Sequence, residues 1–237
     1  MTVPPEVREH GRQARTSART DGLVPALTLL VRALSPKAPP RGPRGHAVLP
    51  KELLEEFAAE EAQSSAGASS PREQERVEDP GPLPGLAVLR PGSGAGAPTP
   101  PEWGWALAWL RLGMSERLRD ACLAHLAARQ SEGGSLLMQQ MVKGTLADVL
   151  LEHLEIEGVL DDLADGRTGP LGPLHPAGDD RHLAGLQQQI TRADRALLRL
   201  LGAHGFTADG PGAGAHASEL LADAYGVTGT GTGREDA

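Results

Sequence analysis

The chain has 237 residues, of which 39% are hydrophobic, and it carries a net charge of −8 at pH 7. Its only cysteine, Cys122, excludes a disulfide framework or a multi-thiolate metal site within one chain, and we expect it to be a small core residue. No run of 18 apolar residues occurs, which excludes a transmembrane helix, and the first residues are not typical of a signal peptide. We therefore expect a cytoplasmic protein.

Composition divides the chain near residue 100. The first part is rich in Pro, Gly, Ser and Arg, a composition that does not offset the loss of chain entropy on folding. We therefore predict that residues 1–100 are mostly disordered, with two short helices at Asp21–Leu34 and Pro50–Gln63. Residues 86–89 (Leu-Ala-Val-Leu) are a candidate short strand. At the other end, residues 227–237 are predicted to be a flexible tail.

Charge is also unevenly distributed. Residues 1–50 carry eight Arg or Lys against three acidic residues, whereas the remainder is acidic. A basic arm can contact nucleic acid or an anionic membrane surface. Here the arginines are scattered and no aromatic residue lies among them. We therefore expect a solvated arm, with neither nucleic acid nor a membrane as a partner.

From residue 101 onward the pattern is helical. Apolar residues recur three and four positions apart in four segments, which are separated by glycine-rich or proline-rich breaks. The predicted helices are Trp103–Arg129, Leu136–Asp165, a third that starts after Asp179-Asp180 and ends at Gly202, and Ala213–Tyr225. The second helix is assigned the apolar stripe Val142, Leu146, Val149, Leu150, Leu154 and Leu160. Four such helices predict an all-α fold, an up-down four-helix bundle over residues 101–226.

Two of the glycine-rich breaks carry motifs. The segment 129–148 reads R-Q-S-E-G-G-S-L-L-M-Q-Q-M-V-K-G-T-L-A-D, and 200–206 reads L-L-G-A-H-G-F. Over residues 87–225 the chain resembles the C-terminal helical domain of the acyl-CoA dehydrogenase family. That family has an Arg-x-x-Phe-Gly-x-x-Leu-x-x-x-Gln-x-Val segment and a Gly-Gly-x-Gly-aromatic turn at subunit contacts that touch FAD. The residues at matching spacings are Arg129, Gly133, Leu136, Gln140 and Val142.

The resemblance implies an FAD-linked oxidoreductase that acts on CH–CH bonds of acyl-CoA thioesters. It implies four cofactor-contacting residues, shared across a subunit interface: Arg129, Gln140, Gly202 and Gly205. The family Arg reaches the FAD pyrophosphate, and a guanidinium suits bidentate phosphate contacts. Each position has a simpler alternative. A cation such as Arg129 is favoured at a helix C-terminus by the helix dipole, Gln140 fits a solvated helix face, and both glycines fit helix caps.

Departures from the family pattern bear on activity. The family aromatic is Glu132 here, whose charge is unfavourable near a diphosphate, and the second Gly of the turn is Ala203. The family's catalytic Glu lies in a Tyr-Glu-Gly-Thr segment, where residues 225–228 read Tyr-Gly-Val-Thr. A minority of the family carries the base near the start of the first helix, where Glu102 is the candidate, one position away. No other catalytic group and no metal site is predicted.

Three functions stay open on this pattern. The chain is an acyl-CoA dehydrogenase-like enzyme that is incomplete or needs a partner, because the family's other two domains are not recognisable. Alternatively, it is a non-catalytic interaction subunit that pairs with a full-length paralogue, or a truncated gene remnant. We expect a homo-oligomer or a pairing with a full-length acyl-CoA dehydrogenase-like subunit, because the third and fourth helices offer more apolar surface than one bundle needs.

Overall fold

The computed structural model describes residues 5–64, 77–78, 85–90, 99–100, 102–131, 134–164, 176–207 and 210–226. These residues form seven α-helices: α1 Pro5–Thr20, α2 Leu23–Leu34, α3 Lys51–Ser64, α4 Trp103–Ala128, α5 Gln140–Ala164, α6 Pro176–Leu201 and α7 Gly212–Tyr225. They also form five short strands: β1 Ala47–Pro50, β2 Val77–Glu78, β3 Leu86–Leu89, β4 Gln130–Ser131 and β5 Gly134–Ser135. Two 3₁₀ turns, Leu136–Met138 and Gly202–Phe206, lie before α5 and after α6. The predicted features at 132–133 and 227–237 lie outside the described residues.

Helices α4 to α7 form the up-down bundle that the sequence predicts. Leu183, near the start of α6, lies against Gly104, near the start of α4. Tyr225, at the end of α7, packs on Trp103 with ring centroids 5.3 Å apart. Helices α4 and α6 therefore run one way, and α5 and α7 return. We call the two ends of this bundle the Trp103 end and the Arg129 end.

Helix α4 is central to this arrangement. Every residue from Trp105 to Glu116 is buried, because α5, α6 and α7 pack on one side of α4 while α1 and α2 pack on the other. A helix that is apolar around its whole circumference is stable only when neighbours surround it. The chain outside the bundle is therefore needed to cover α4.

The structure corrects the predicted disorder of residues 1–100 over the range 5–64. Helices α2 and α3 agree with the two predicted short helices, but α1 is not predicted. Buried residues of α1 and α2, among them Val7 and Leu27, join one apolar cluster with Trp103 and Tyr225. Isolated helices of this length are marginal in water. Packing against α4 stabilises them, and composition does not report that packing.

Helix α1 reaches α4 through glycines and small side chains. Its buried residues are Val7, Gly11, Ala14, Ser17 and Ala18. A Cβ on Gly11 would lie 2.6 Å from the Trp109 ring. A Cβ on Gly113 would overlap the backbone carbonyl oxygen of Arg15. The two helices therefore approach at backbone distance, which only a residue without a side chain allows.

Arginines complete this contact. Arg12 pairs with Asp161, Arg15 with Glu116 and Glu157, and Arg19 with Asp120. The Arg15 guanidinium donates to both carboxylate oxygens of Glu116, at 3.0 and 2.7 Å. Burial opposes the charge of Arg15, but hydrogen bonds to Glu116 and Glu157 raise its pKa above the usual value. The prediction of a solvated arm is therefore wrong here, because these arginines pair within the chain.

A small sheet lies beside the bundle. Strand β3 pairs antiparallel with both β1 and β2, in the order β1-β3-β2. The candidate strand at 86–89 is β3. Strand β1 is not predicted, and its last residue, Pro50, is assigned by the sequence pattern to the helix at 50–63. No helix among the described residues is long and apolar enough to span a membrane.

The apolar stripe of α5 differs from the predicted one. The residues that α5 buries are Leu146, Val149, His153, Ile156 and Leu160. Leu150 and Leu154, which the sequence pattern assigns to the stripe, are exposed. The true stripe contains the polar residue His153, so a count of apolar residues alone misplaces the buried face. Helix α6 starts at Pro176, earlier than predicted, and its seam is buried inside the bundle.

Replacing Gly113 by alanine is expected to lower the free energy of unfolding by about 1–3 kcal/mol, because the new methyl group meets the backbone of α1. Gly185→Ala in α6 is the matched control, since a Cβ there meets nothing within 4 Å. Helix propensity predicts that this control gains up to about 1 kcal/mol. Urea unfolding followed by circular dichroism measures both variants. Equal effects from the two would contradict the close approach of α1 and α4.

Candidate functional site

The four residues implied as cofactor contacts lie at the Arg129 end of the bundle. They are Arg129 after α4, Gln140 at the start of α5, and Gly202 and Gly205 in the turn after α6. The carbonyl oxygen of Arg129 accepts a hydrogen bond from the Leu136 N–H at 2.8 Å, which ties the end of α4 to the approach to α5. The His125 ring stacks on His204, with centroids 4.1 Å apart, and so holds the turn beside α4. The fold therefore brings the four positions to one end.

Arg129 and Gln140 present their side chains to solvent. Both residues are exposed, and the structure gives neither side chain a hydrogen-bond or ion-pair partner among the described residues. An unpaired guanidinium can make bidentate contacts to a phosphate or a carboxylate. The donor chemistry at Arg129 therefore fits a diphosphate, and an exposed amide at Gln140 can donate or accept. Gly133 and Glu132 lie outside the described residues.

The two glycines have local explanations. Gly202 has φ +54 and ends α6 in the left-handed region, which glycine adopts without strain. Gly205 is buried, and a Cβ there would lie 3.2 Å from Leu198 and 3.3 Å from Leu201. A Cβ on Gly212 would in turn overlap the carbonyl oxygen of Gly205. The conformation and packing of the turn are therefore sufficient to explain both glycines. This agrees with the simpler interpretation that they cap a helix rather than contact a cofactor.

Glu102 lies at the opposite end of the molecule. It directly precedes α4, and its side chain makes no capping hydrogen bond. Glu102 and Arg129 are 27 positions apart in the chain, which corresponds to about 40 Å at the rise of an α-helix. Glu102 and Arg129 therefore cannot act in one site within a single chain.

Tyr225 is a structural residue. Its hydroxyl oxygen accepts from the Val48 N–H at 3.0 Å, and the same hydroxyl lies 2.9 Å from the Val48 carbonyl and 3.2 Å from that of Pro40. Burial raises the pKa of Tyr225 above its usual value. Next to it, a Cβ on Gly226 would lie 2.5 Å from the carbonyl oxygen of Ala222. A glutamate at this position would therefore require the backbone to move.

A buried polar cluster lies between the two ends and is not predicted by the apolar pattern. Arg111 is fully buried, and its Nε donates to Ser218 at 2.8 Å. Its other nitrogens donate to Thr191 at 2.9 Å and to the Gln187 side chain. Burial lowers the pKa of Arg111 to about 10, so it keeps its charge at neutral pH. Gln187, Thr191 and Asp194 are spaced four and three apart, and that spacing on α6 is the signal that predicts a polar face.

His153 extends the cluster to α5. The Ser115 hydroxyl lies 2.8 Å from Nε2 of His153, and an Arg119 nitrogen lies 3.2 Å from Nδ1. Burial, and then the charge of Arg119, lower the pKa of His153 to about 4, so the ring is neutral at neutral pH. Within the part of the chain that the structure describes, no three His, Cys, Asp or Glu side chains form a group that could hold a metal. The free thiol of Cys122 is buried, as predicted.

Comparison with family models and with curated proteins gave no match. Among solved structures, the chain is similar to FkbI for biosynthesis of the methoxymalonyl extender unit of the Fk520 polyketide immunosuppressant, with 18% identity over 66% of this chain and 48% of that one and a TM-score of 0.46. It is also similar to a glutaryl-CoA dehydrogenase from Mycobacterium smegmatis in complex with FADH2, with 15% identity over 65% of this chain and 44% of that one and a TM-score of 0.48. The chain spans less than half the length of each.

Replacing Tyr225 by phenylalanine is expected to lower the free energy of unfolding by about 1–3 kcal/mol, because the buried Val48 N–H loses its acceptor. Thr20→Val is the control, since its exposed hydroxyl bonds only to the Thr16 carbonyl and surface changes cost less than about 0.5 kcal/mol. Urea unfolding gives the stability, and amide hydrogen exchange at Val48 reports the local effect. Unchanged exchange at Val48 in Tyr225→Phe would contradict the anchoring role.

Proposed function

We propose that the chain is a helical subunit of an acyl-CoA dehydrogenase-like FAD oxidoreductase and that it works only together with a second chain. One observation carries this proposal: Arg129 and Gln140 are exposed and have no side-chain partner among the described residues at one end of the bundle, about 40 Å from Glu102 at the other. Side chains in this position are available to a cofactor held mainly by a neighbour. The resemblance in sequence supplies the identity of that cofactor.

FAD, when bound, supplies the acceptor for a hydride from an acyl thioester. The role we assign to this chain is binding: Arg129 pairs with the diphosphate and Gln140 contacts the cofactor from across the interface. Abstraction of the substrate proton needs a carboxylate at the reacting carbon. Gly226 provides none, and the close approach of its backbone to Ala222 leaves no room for one. We therefore assign proton abstraction to the second chain.

An exposed apolar surface supports association. We define the α5 face as Leu150, Leu151 and Leu154, which lie within about 100° of one another round the helix and are all exposed. Leu151 is 59% exposed and Leu154 is 55% exposed. Large side chains that share one helix face in this way mark an interaction site more often than a free surface. The sequence pattern predicts the oligomer contact on the third and fourth helices. We propose that the contact is instead the α5 face.

A second copy of the chain is the occupant that we propose for the α5 face. Gly144 and Gly158 lie seven residues to either side of Leu151, and a Cβ at either glycine meets nothing within the chain. In an antiparallel pair with a two-fold axis at Leu151, each Gly144 faces Gly158 of the other copy. The glycines let the helices approach while the Leu151 side chains meet. This symmetry favours self-association. A surface for self-association also supports the alternative function, a non-catalytic interaction subunit.

The chain is expected to sediment at micromolar concentration as a species larger than its monomer mass of 24.8 kDa. The double variant Leu151→Asp, Leu154→Asp should be monomeric, because two charges would be buried without partners. Leu29→Asp is the matched control, since Leu29 is exposed on α2, away from the α5 face. Added salt should strengthen the dimer, because this symmetry brings Asp148 of one copy close to Glu155 of the other along one edge, and salt screens the repulsion between them. A monomeric wild-type chain would overturn the assignment.

The chain alone is expected to bind FAD weakly, and Arg129→Ala should weaken that binding about tenfold or more, because a charge-assisted contact is lost. Arg195→Ala is the control, since that exposed arginine pairs with Glu219 instead. Quenching of FAD fluorescence measures both variants.

The same preparation should not oxidise acyl-CoA with an artificial electron acceptor. Turnover by the chain alone would contradict the proposal, and Glu102→Gln would then show whether Glu102 is the base.

A further inference from the structure

Asp194 on α6 is an unusual buried carboxylate. Asp194 is 1% exposed, and neither of its carboxylate oxygens has a partner in hydrogen-bond geometry. Buried polar groups in folded proteins are nearly always hydrogen-bonded, because an unpaired one loses its hydration without replacement. A carboxylate with two unpaired oxygens in the middle of a bundle therefore requires an explanation.

The donors nearest to Asp194 are engaged with other groups. Arg111 directs its nitrogens to Ser218, Thr191 and Gln187 and makes no hydrogen bond to Asp194. The Ser218 oxygen accepts from Arg111, and the Ser115 oxygen lies against His153. The charge of Arg111 nevertheless acts on Asp194 at a distance. The cation and the carboxylate are thus neighbours in the core without forming an ion pair.

The direction of these hydrogen bonds leaves two hydroxyl protons free. A guanidinium only donates, so Arg119 donates to Nδ1 of His153 and the neutral ring carries its proton on Nε2. Nε2 then donates to the Ser115 oxygen, and the Ser115 hydroxyl proton is free to turn toward Asp194. The Ser218 oxygen accepts a hydrogen bond from Arg111, so the Ser218 hydroxyl proton is also free to turn toward Asp194. Both hydroxyls are near enough to lower the pKa of Asp194, although neither meets hydrogen-bond geometry with it.

The groups around Asp194 differ in charge from one packed element to the next. Helix α4 contributes Arg111, α5 contributes neutral His153 through Ser115, and α7 contributes Glu219. The turn after α6 carries His204, which stacks on His125 rather than facing Asp194. Burial raises the pKa of Asp194 to about 7, against the lowering by Ser115, Arg111 and Ser218.

We propose that Asp194 is a proton-operated latch between α6 and helices α4 and α7. With its proton, the carboxyl is neutral and the contacts described above are undisturbed. Without it, the carboxylate draws the Ser115 and Ser218 hydroxyls and the Arg111 guanidinium toward itself. Arg111 then leaves Thr191 and Gln187 for a position about one turn further along α6. The packing of α6 on α4 therefore responds to pH near neutrality, independently of any cofactor.

The sign of the effect on stability follows from linkage. An unfolded Asp ionises near its ordinary pKa of about 4, whereas folded Asp194 holds its proton to about pH 7. The folded state then binds more protons, so the contribution of Asp194 to stability falls as the pH rises from 4 to 7 and stays low above it. His153 acts in the opposite sense, because its lowered pKa costs stability as the pH falls from 6.5 to about 4. The two contributions offset each other in wild type between pH 4 and 6.5.

Thermal unfolding of the full chain from pH 5 to 8 tests the latch. The difference in Tm between Asp194→Asn and wild type should grow in favour of the variant as the pH rises to about 7 and then level off, because only wild type has a carboxyl that must keep its proton in the folded state. Glu55→Gln, which removes an exposed carboxyl on α3, is the control, and its difference in Tm from wild type should stay constant because the buried cluster is unchanged. A constant difference for Asp194→Asn would overturn the proposal.

A second variant keeps the test valid if Asp194→Asn does not fold. Trp105 and Trp109 pack in one cluster with Leu186 and Ile190 of α6, so tryptophan fluorescence reports the contact between α4 and α6. Folded wild type should show a fluorescence transition between pH 6 and 8.5. Thr191→Val should move its midpoint to lower pH, because Arg111 is released toward Asp194. Absence of the transition in wild type, or a midpoint that Thr191→Val leaves unchanged, would refute the latch.

Discussion

Burial of α4 is the constraint on which the rest of the structure depends. Every residue from Trp105 to Glu116 is buried. The other three helices of the bundle do not cover α4 on all sides. The remaining side is closed by α1, which has almost no large apolar residues and packs by backbone proximity at Gly11 and Gly113. The arginines of α1 then fix its position by pairing with acids of α4 and α5. A segment with the composition of a disordered arm is thus folded by the helix that it covers.

The same constraint explains why polar groups are buried in the bundle. A helix surrounded on all sides buries every residue it carries, including Arg111, Ser115 and Glu116. Each must then find partners on a neighbouring helix, because burial of an unpaired charge is costly. Glu116 finds Arg15, and Arg111 finds neutral oxygens on α6 and α7. The polar cluster therefore fixes the relative position of the helices. Asp194 differs from its other members because neither of its oxygens has a hydrogen-bond partner.

The sequence predicts the long elements well and their contacts less well. Four periodic helices, the cap at Gly202 and strand β3 follow from the local sequence pattern, whereas the grouping of Arg129 with Gln140 is implied by the family resemblance. Helix α1 is missed because Gly, Ala and Ser at its contact positions do not count as apolar. The exposed face of α5 is misassigned because a histidine occupies its buried stripe. In both cases the identity of the neighbouring helix decides burial, and a single sequence does not contain that information in its local pattern.

The separation of the two ends sets what one chain can do. A straight α4 places Arg129 and Glu102 about 40 Å apart, so cofactor contacts at one end and base chemistry at the other belong to different sites. Restoring a glutamate at Gly226 would not repair the second site, because the backbone there already lies against Ala222 and the preceding tyrosine holds β1 in place. Tyr225 and Gly226 at the Trp103 end thus serve folding, whereas Arg129 and Gln140 at the other end have no side-chain partner among the described residues. Under the proposed function, this chain contributes to catalysis by completing a site on another chain.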